Sequence, residues 1–259
     1  MGQAVGSTSG NLEEGALRDV ARPDMPPRDR TGHSIVVRIS HWLIVAAVFA
    51  LTLSGTNILT SHPRLYWGET GNVNDEPWLV IPIPASRRSV PTAYDFRLED
   101  RNGWSRNLHF EAAWVLVLTG LVYGLWGFAS GHFRRDLIPG RGDRNWRAFS
   151  ATVAKYARHF LRKEPLPTDE IAYNPLQRVT YLVVIFLLFP AIIASGLAMS
   201  PYLAAAWPGL VEFFGGRQSA RSFHFLLVSG LLGFAVVHVI LVKVSGFSRL
   251  LRGMTIGHG

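Results

Sequence analysis

Residues 222–245, SFHFLLVSGLLGFAVVHVILVKVS, decide how this chain is read. The run is apolar apart from its ends and two histidines, His224 and His238, and it is long enough to cross a bilayer as a single helix. At about 1.5 Å per residue the two imidazoles lie about 21 Å apart, and at about 100° per residue they are about 40° out of register. Both therefore look out of one face, one near each membrane surface. An imidazole in lipid is costly without a partner, so each is a functional candidate. Hydrogen bonds between packed helices would account for the pair as well.

The rest of the chain repeats the pattern of bunched apolar residues. Of 259 residues 48% are apolar, and they group into four spans at about 39–59, 109–129, 177–199 and 223–244. The fold expected is an all-α membrane protein, a four-transmembrane-helix bundle with an external loop subdomain and a cytoplasmic amphipathic helix. The formal charge of +8 raises the question of nucleic acid, and its distribution answers it. With both termini cytoplasmic, 18 of the 26 Lys and Arg residues fall inside and 8 outside. That is mostly the positive-inside bias of a multi-pass membrane protein, and it leaves a nucleic-acid partner little to explain. The chain has no cysteine, which excludes disulfides, iron–sulfur clusters and the CxxCH attachment of c-type haem.

Residues 1–30 are polar and rich in Gly and Pro, and read as a disordered cytoplasmic tail. The membrane domain occupies 31–247, followed by a short cytoplasmic tail at 248–259. Between the first two spans, residues 60–108 carry six acidic and six basic side chains among Pro, Gly and aromatic residues, which reads as a compact external cap. Such a cap could dock a partner or shield the span ends. In the second loop, Trp146, Phe149, Val153, Tyr156 and Phe160 recur every three or four residues with basic residues between them, the pattern of a helix lying on the inner membrane surface. Pro190 should kink the third span, which has no histidine.

If the spans alternate in direction, His41 begins the first at the cytoplasmic side and His238 lies toward the same side of the fourth. His109 and His224 begin the second and fourth spans outside. Four histidines thus form two pairs at two depths. Two axial imidazoles are what a six-coordinate b-type haem requires, and facing helices of a bundle supply them. Arg38, Arg106 and Arg221 each precede one of these histidines by three residues, in RISH, RNLH and RSFH. That spacing puts each guanidinium one turn nearer the membrane surface, where it would suit a haem propionate; snorkelling at span ends is the ordinary alternative. A single zinc site would need the two layers to meet, and a proton-coupled transporter would more naturally carry broken helices or repeats.

The motifs VRISHW with the following LTLSG, HF opening the second span, YNPLQRVTYL entering the third and H-x13-H in the fourth resemble the bacterial cytochrome b561 / nickel-hydrogenase-type dihaem cytochrome b family. SHPRLYWGETG and GLAMSP are similar to its thiosulfate-reductase cytochrome b branch. The resemblance covers about 33–245. It implies a membrane anchor that transfers electrons between the quinone pool and a periplasmic catalytic redox subunit, a molybdenum oxidoreductase by analogy, through two b-type haems. It pairs His41 with His238 and His109 with His224 as iron ligands, in agreement with the topology. It places quinone near the inner haem and the loop into the third span, where Asn174 and Gln177 are candidates, though a helix-entry turn around Pro175 explains both. His132 is a candidate proton carrier beside the quinone. A stand-alone quinol, superoxide or ferric redox enzyme remains the alternative.

Overall fold

The computed structural model describes residues 33–71, 75–82, 103–138, 146–162 and 175–257. The N-terminal tail, much of the external loop and Asn174 lie outside these described residues. Among them are four helices long and apolar enough to cross a membrane: Ile35–Ser61, Gly103–Ala129, Leu176–Met199 and Arg217–Val244. The first is α1 (Ile35–Ser61), whose N-cap Ser34 accepts a hydrogen bond from the Val37 N–H at 3.4 Å. The second is α2 (Gly103–Ala129), and a π turn, Phe133–Leu137, follows it. Then α3 (Trp146–Arg162) occupies the stretch read as amphipathic. The third span is built of α4 (Pro175–Val183), a π turn at Val184–Leu188, and α5 (Phe189–Met199). Two short helices, α6 (Pro201–Ala206) and α7 (Pro208–Phe213), lead to α8 (Arg217–Val244) and α9 (Phe247–Thr255).

The helices outrun the apolar windows because their polar first turns remain helical. At 27 and 28 residues, α2 and α8 are about 40 Å long, more than a hydrocarbon layer of about 30 Å. Arg106 and Arg221 therefore sit on turns that reach the interfacial region. In the third span, the π turn directly precedes Pro190. Proline cannot donate to the preceding turn and its ring crowds the carbonyl four residues back, and one wider turn relieves both conflicts.

Packing is inverted relative to a water-soluble bundle. Large apolar side chains such as Phe49, Phe128, Leu187 and Val239 face outward, while Ala47, Ser54, Ala112, Ser195, Ala198, Ala220 and Ser222 are buried. Small residues let helices approach where lipid offers no hydrophobic drive for association. One apolar cluster, Val184, Ile192 and Leu231, receives Val48, Leu227 and Phe234 and joins α1 to the third and fourth spans.

The ends of the bundle are fastened differently. At the cap end, β1 (Arg64–Leu65) and β2 (Leu79–Val80) form an antiparallel pair. This hairpin supplies what the start of α8 lacks. The N-cap of α8 is Gly216, which has no side chain to cap with, so the loop satisfies the free N–H groups of the first turn: Glu69 Oε2 accepts from Arg217 N at 2.9 Å, and the Gly68 carbonyl accepts from Gln218 N at 3.0 Å and Ser219 N at 3.1 Å. The carboxylate also complements the positive end of the helix dipole. A Cβ on Gly216 would collide with the Gly68 backbone, and its φ of 111° is one that L side chains avoid. Trp78 Nε1 donates to Ser222 Oγ at 2.9 Å, and that hydroxyl donates to the Tyr66 carbonyl at 2.7 Å. The described half of the loop between the first two spans is thus a cap bonded to α8.

At the opposite, basal end, the segment read as a tail forms α9 and turns back onto α1. Arg38 donates to the Thr255 carbonyl, and Trp42 Nε1 donates to the Met254 carbonyl at 3.1 Å. Of the two fastenings, the one at the cap includes a carboxylate, Glu69. Replacing it in Glu69→Ala should cost about 1 kcal/mol, the usual worth of a helix cap, read as a lower melting midpoint of the detergent-solubilised protein.

Candidate functional site

The four histidines singled out by position meet in two pairs. His41 on α1 faces His238 on α8 at the basal end with ring centroids 6.5 Å apart, and His109 on α2 faces His224 on α8 at the cap end with centroids 6.4 Å apart. A direct N–H···N bond between two imidazoles would bring the centroids to about 5.2 Å, so neither pair is hydrogen-bonded ring to ring. Metal–nitrogen bonds of about 2 Å on both sides of one ion, added to a ring radius of about 1.2 Å, give about 6.4 Å. Both pairs therefore have the spacing of two axial ligands that share one iron.

The cap-end pair is held by hydroxyls. His109 Nδ1 lies 3.0 Å from Ser54 Oγ, and the Ser54 hydroxyl donates to the Ala50 carbonyl at 2.7 Å. With that proton committed, the serine oxygen accepts and His109 Nδ1 carries the hydrogen. His224 repeats the arrangement: its Nδ1 lies 3.0 Å from Ser195 Oγ and 3.1 Å from the Ile192 carbonyl, which can only accept, while the Ser195 hydroxyl donates to that same carbonyl at 2.9 Å. A glycine follows each serine, and a Cβ built on Gly55 or Gly196 would stand 3.4 Å from the ring it faces. The sequence held one signal for these serines, the Ser-Gly step at 54–55 and again at 195–196, but nothing local ties either to a histidine 55 or 29 residues away.

The basal-end pair is held by rings. The Trp42 edge meets His41 at 5.3 Å, and Phe234 stacks on His238 at 5.7 Å with 27° between planes. Among the described residues, His41 Nδ1 is buried without a hydrogen-bond partner, and so is Arg38 Nε. Orphaned buried polar atoms of this kind are expected where a further polar group belongs. A Cβ at Gly120, Gly124, Gly230 or Gly233 would meet nothing within 4 Å, so these four glycines of α2 and α8 front open space that a flat macrocycle could use.

The three arginines divide. Arg38 keeps its Nε free as described. Arg221 donates to the backbone carbonyls of His62 and Arg64, which ties it to the cap as well as to the His224 turn. Arg106 is exposed on the first turn of α2. Gln177 lies half-buried in the first turn of α4.

A second cluster lies at the basal end of α2. His132 Nδ1 is 2.8 Å from Asp136 Oδ2, its Nε2 is 3.3 Å from the Tyr123 hydroxyl, and Trp126 covers the ring at 5.1 Å. The spacing of four between His132 and Asp136 was the readable sign of this contact. Burial works against the Asp136 charge, but the hydrogen bonds of His132 and Arg135 outweigh it and hold the carboxyl below its usual range. His33, just ahead of α1, is held below its ordinary value by burial and by the neighbouring charge of His132. A carboxyl lowered in the folded state adds stability that is fully present above its unfolded pKa of about 3.9 and disappears as pH falls through the lower folded value. The melting-point gap between wild type and Asp136→Asn should accordingly be present above about pH 4 and close as pH falls below it; a gap that persists unchanged down to acid unfolding would refute the linkage.

The sequence matches the prokaryotic cytochrome b561 family over residues 32–257. Among its relatives, it is 29% identical over 226 residues to a putative protein-methionine-sulfoxide reductase subunit YedZ1 of Azospira oryzae, across 87% of this chain and 96% of that protein. It is 28% identical to a probable Ni/Fe-hydrogenase B-type cytochrome subunit of Azotobacter chroococcum over 54% of this chain and 60% of that protein, and 24% identical to the corresponding protein of Cupriavidus necator over 78% and 74%. With four apolar helices and two facing imidazole pairs, the match settles the class: the chain belongs to the prokaryotic cytochrome b561 family, multi-pass membrane proteins that transfer electrons on b-type haem.

Proposed function

We propose that the chain carries two b-type haems, one on His41 and His238 and one on His109 and His224, and moves electrons between quinone at the cytoplasmic end of the bundle and a catalytic subunit at the periplasmic end. The observation that carries this reading is the repeated centroid separation of 6.5 and 6.4 Å at two depths of one helix. Bound between two imidazoles, a haem iron supplies one-electron exchange with no open position for oxygen. The chain's own residues do the rest. The α8 helix sets the depth of both sites, since His224 and His238 are fixed by its pitch. Arg38 offers an unpaired Nε to a propionate at the basal end, and Arg106 and Arg221 stand at the cap-end surface.

The positive-inside distribution supports assigning the basal end to the cytoplasm of a bacterial inner membrane. Quinone reduction or quinol oxidation moves protons as well as electrons, and the Tyr123–His132–Asp136 hydrogen-bonded chain at that end is suited to carry them. Asn174 and Gln177, at the start of the third span, are the accompanying candidates for the quinone head group. The relatives' descriptions as reductase and hydrogenase subunits support a separate catalytic partner, docking on the hairpin cap.

Haem content per purified chain tests the assignment. His224→Ala is expected to retain one haem of two and lose the cap-end component, and His238→Ala to lose the other. If either variant keeps two haems with an unaltered reduced-minus-oxidised spectrum, the ligand sets are wrong. Mild-detergent purification of the tagged wild type should also bring down a redox partner.

A further inference from the structure

We infer that Ser54 and Ser195 are positioning residues that fix the tautomer of the cap-end histidines and lower the redox potential of that haem alone. The inference rests on the haem reading above and goes beyond it by assigning a role to two residues that touch no iron.

The case begins with repetition. Ser54 and Ser195 lie on different helices, 141 positions apart, yet each presents Oγ at 3.0 Å to Nδ1 of a histidine on the next span. Each hydroxyl gives its own proton to a carbonyl of its own helix, Ala50 at 2.7 Å and Ile192 at 2.9 Å, so each oxygen is left as an acceptor. Both serines are fully buried at 0% exposure, so water cannot substitute for either. In each case the following glycine keeps its helix clear of the ring: the distances from a hypothetical Cβ are 3.4 Å to Cε1 and 3.7 Å to Nδ1 at both sites. Two independent loci that share a donor, an acceptor and a clearance to a tenth of an ångström are one device used twice.

Its consequence follows from imidazole chemistry. A neutral imidazole holds one proton; pinned on Nδ1, it leaves Nε2 as the nitrogen with a lone pair. A hydrogen bond donated by Nδ1–H also raises the basicity of the ligating nitrogen and fixes the ring plane. A more basic axial ligand favours the ferric over the ferrous state, which lowers the potential. Among the described residues the basal-end pair has no such hydroxyl: His41 Nδ1 is buried without a partner, and the rings beside His41 and His238 are Trp42 and Phe234. The effect is therefore confined to the cap end.

The test uses the purified full-length protein, potentiometric titration followed in the haem absorption bands, and low-temperature EPR of the oxidised form. In Ser54→Ala or Ser195→Ala the cap-end component, identified as the one absent from His224→Ala, should shift its ferric-to-ferrous equilibrium about tenfold toward ferrous. For one electron that is about +59 mV. The basal component should not move, and the EPR signal of the cap-end haem should change. The hydroxyl-retaining variants Ser54→Thr and Ser195→Thr should titrate as wild type. An Ala variant that loses the cap-end haem while its Thr counterpart keeps it also supports the hydroxyl. Unchanged potentials in both Ala variants, equal shifts in both components, or loss of haem in Ala and Thr variants alike overturn the inference. These outcomes leave the parent reading intact as long as His224→Ala and His238→Ala each remove one haem; if they do not, it is the parent reading that fails.

Discussion

Two imidazoles that face each other across 6.5 Å or less within a lipid bilayer are the constraint from which the rest of this structure follows. That gap is too wide for the rings to satisfy one another, and it matches the span of one metal ion held between two imidazoles. Polar side chains in lipid without partners are costly, and a chain with four of them must place its helices so that the rings meet at matching depths. Alternating spans accomplish this with one helix, α8, contributing to both levels. The third span contributes no histidine; it supplies Ser195 and the apolar cluster that seats α8.

The two depths are then secured by different means. The cap-end pair lies beneath a hairpin that completes the first turn of α8 and is pinned to it by Glu69, Gly68, Trp78 and Ser222. Arg221 extends this fastening from the turn that carries His224 to the carbonyls of His62 and Arg64. The basal-end pair sits where α9 returns to the start of α1 through Arg38 and Trp42, residues three before and one after His41. Each fastening lies within a turn of a ligand candidate. Rigidity is concentrated where a displaced ring would be felt most.

The spans, the histidine pairing and the surface helix were legible in the sequence because each rests on periodicity or hydropathy. The spacing of His224 and His238 put both on one face of a span, but packing explained that as well until span direction set His41 and His109 at matching depths. Ser54 and Ser195 could not be read this way, since a buried serine beside a glycine is ordinary in membrane helices and its meaning depends on a ring from another span. The arginines were legible only in part. RxxH spacing put Arg221 on the turn above His224, but whether its donors face a propionate or a backbone carbonyl depends on where a loop 157 residues away folds. The helix α9 was missed as structure because a short polar tail offers no apolar run long enough to announce itself, and its stability comes from contact with α1.

The contrast between the two ends bears on what each can exchange. At the cap end the polar groups around the imidazoles are hydroxyls and carbonyls in a closed network, in which Ser54 and Ser195 have their protons committed. Such a network has no free proton to hand on, which suits the electron-only exchange with a catalytic partner proposed above. At the basal end, among the described residues, His132, Asp136 and Tyr123 form a hydrogen-bonded chain, with His33 close enough to feel the charge of His132. Titratable groups in contact can hand a proton along, which a two-electron, two-proton carrier needs and a protein partner does not. The surroundings of the two imidazole pairs, more than the pairs themselves, distinguish the two ends of α8.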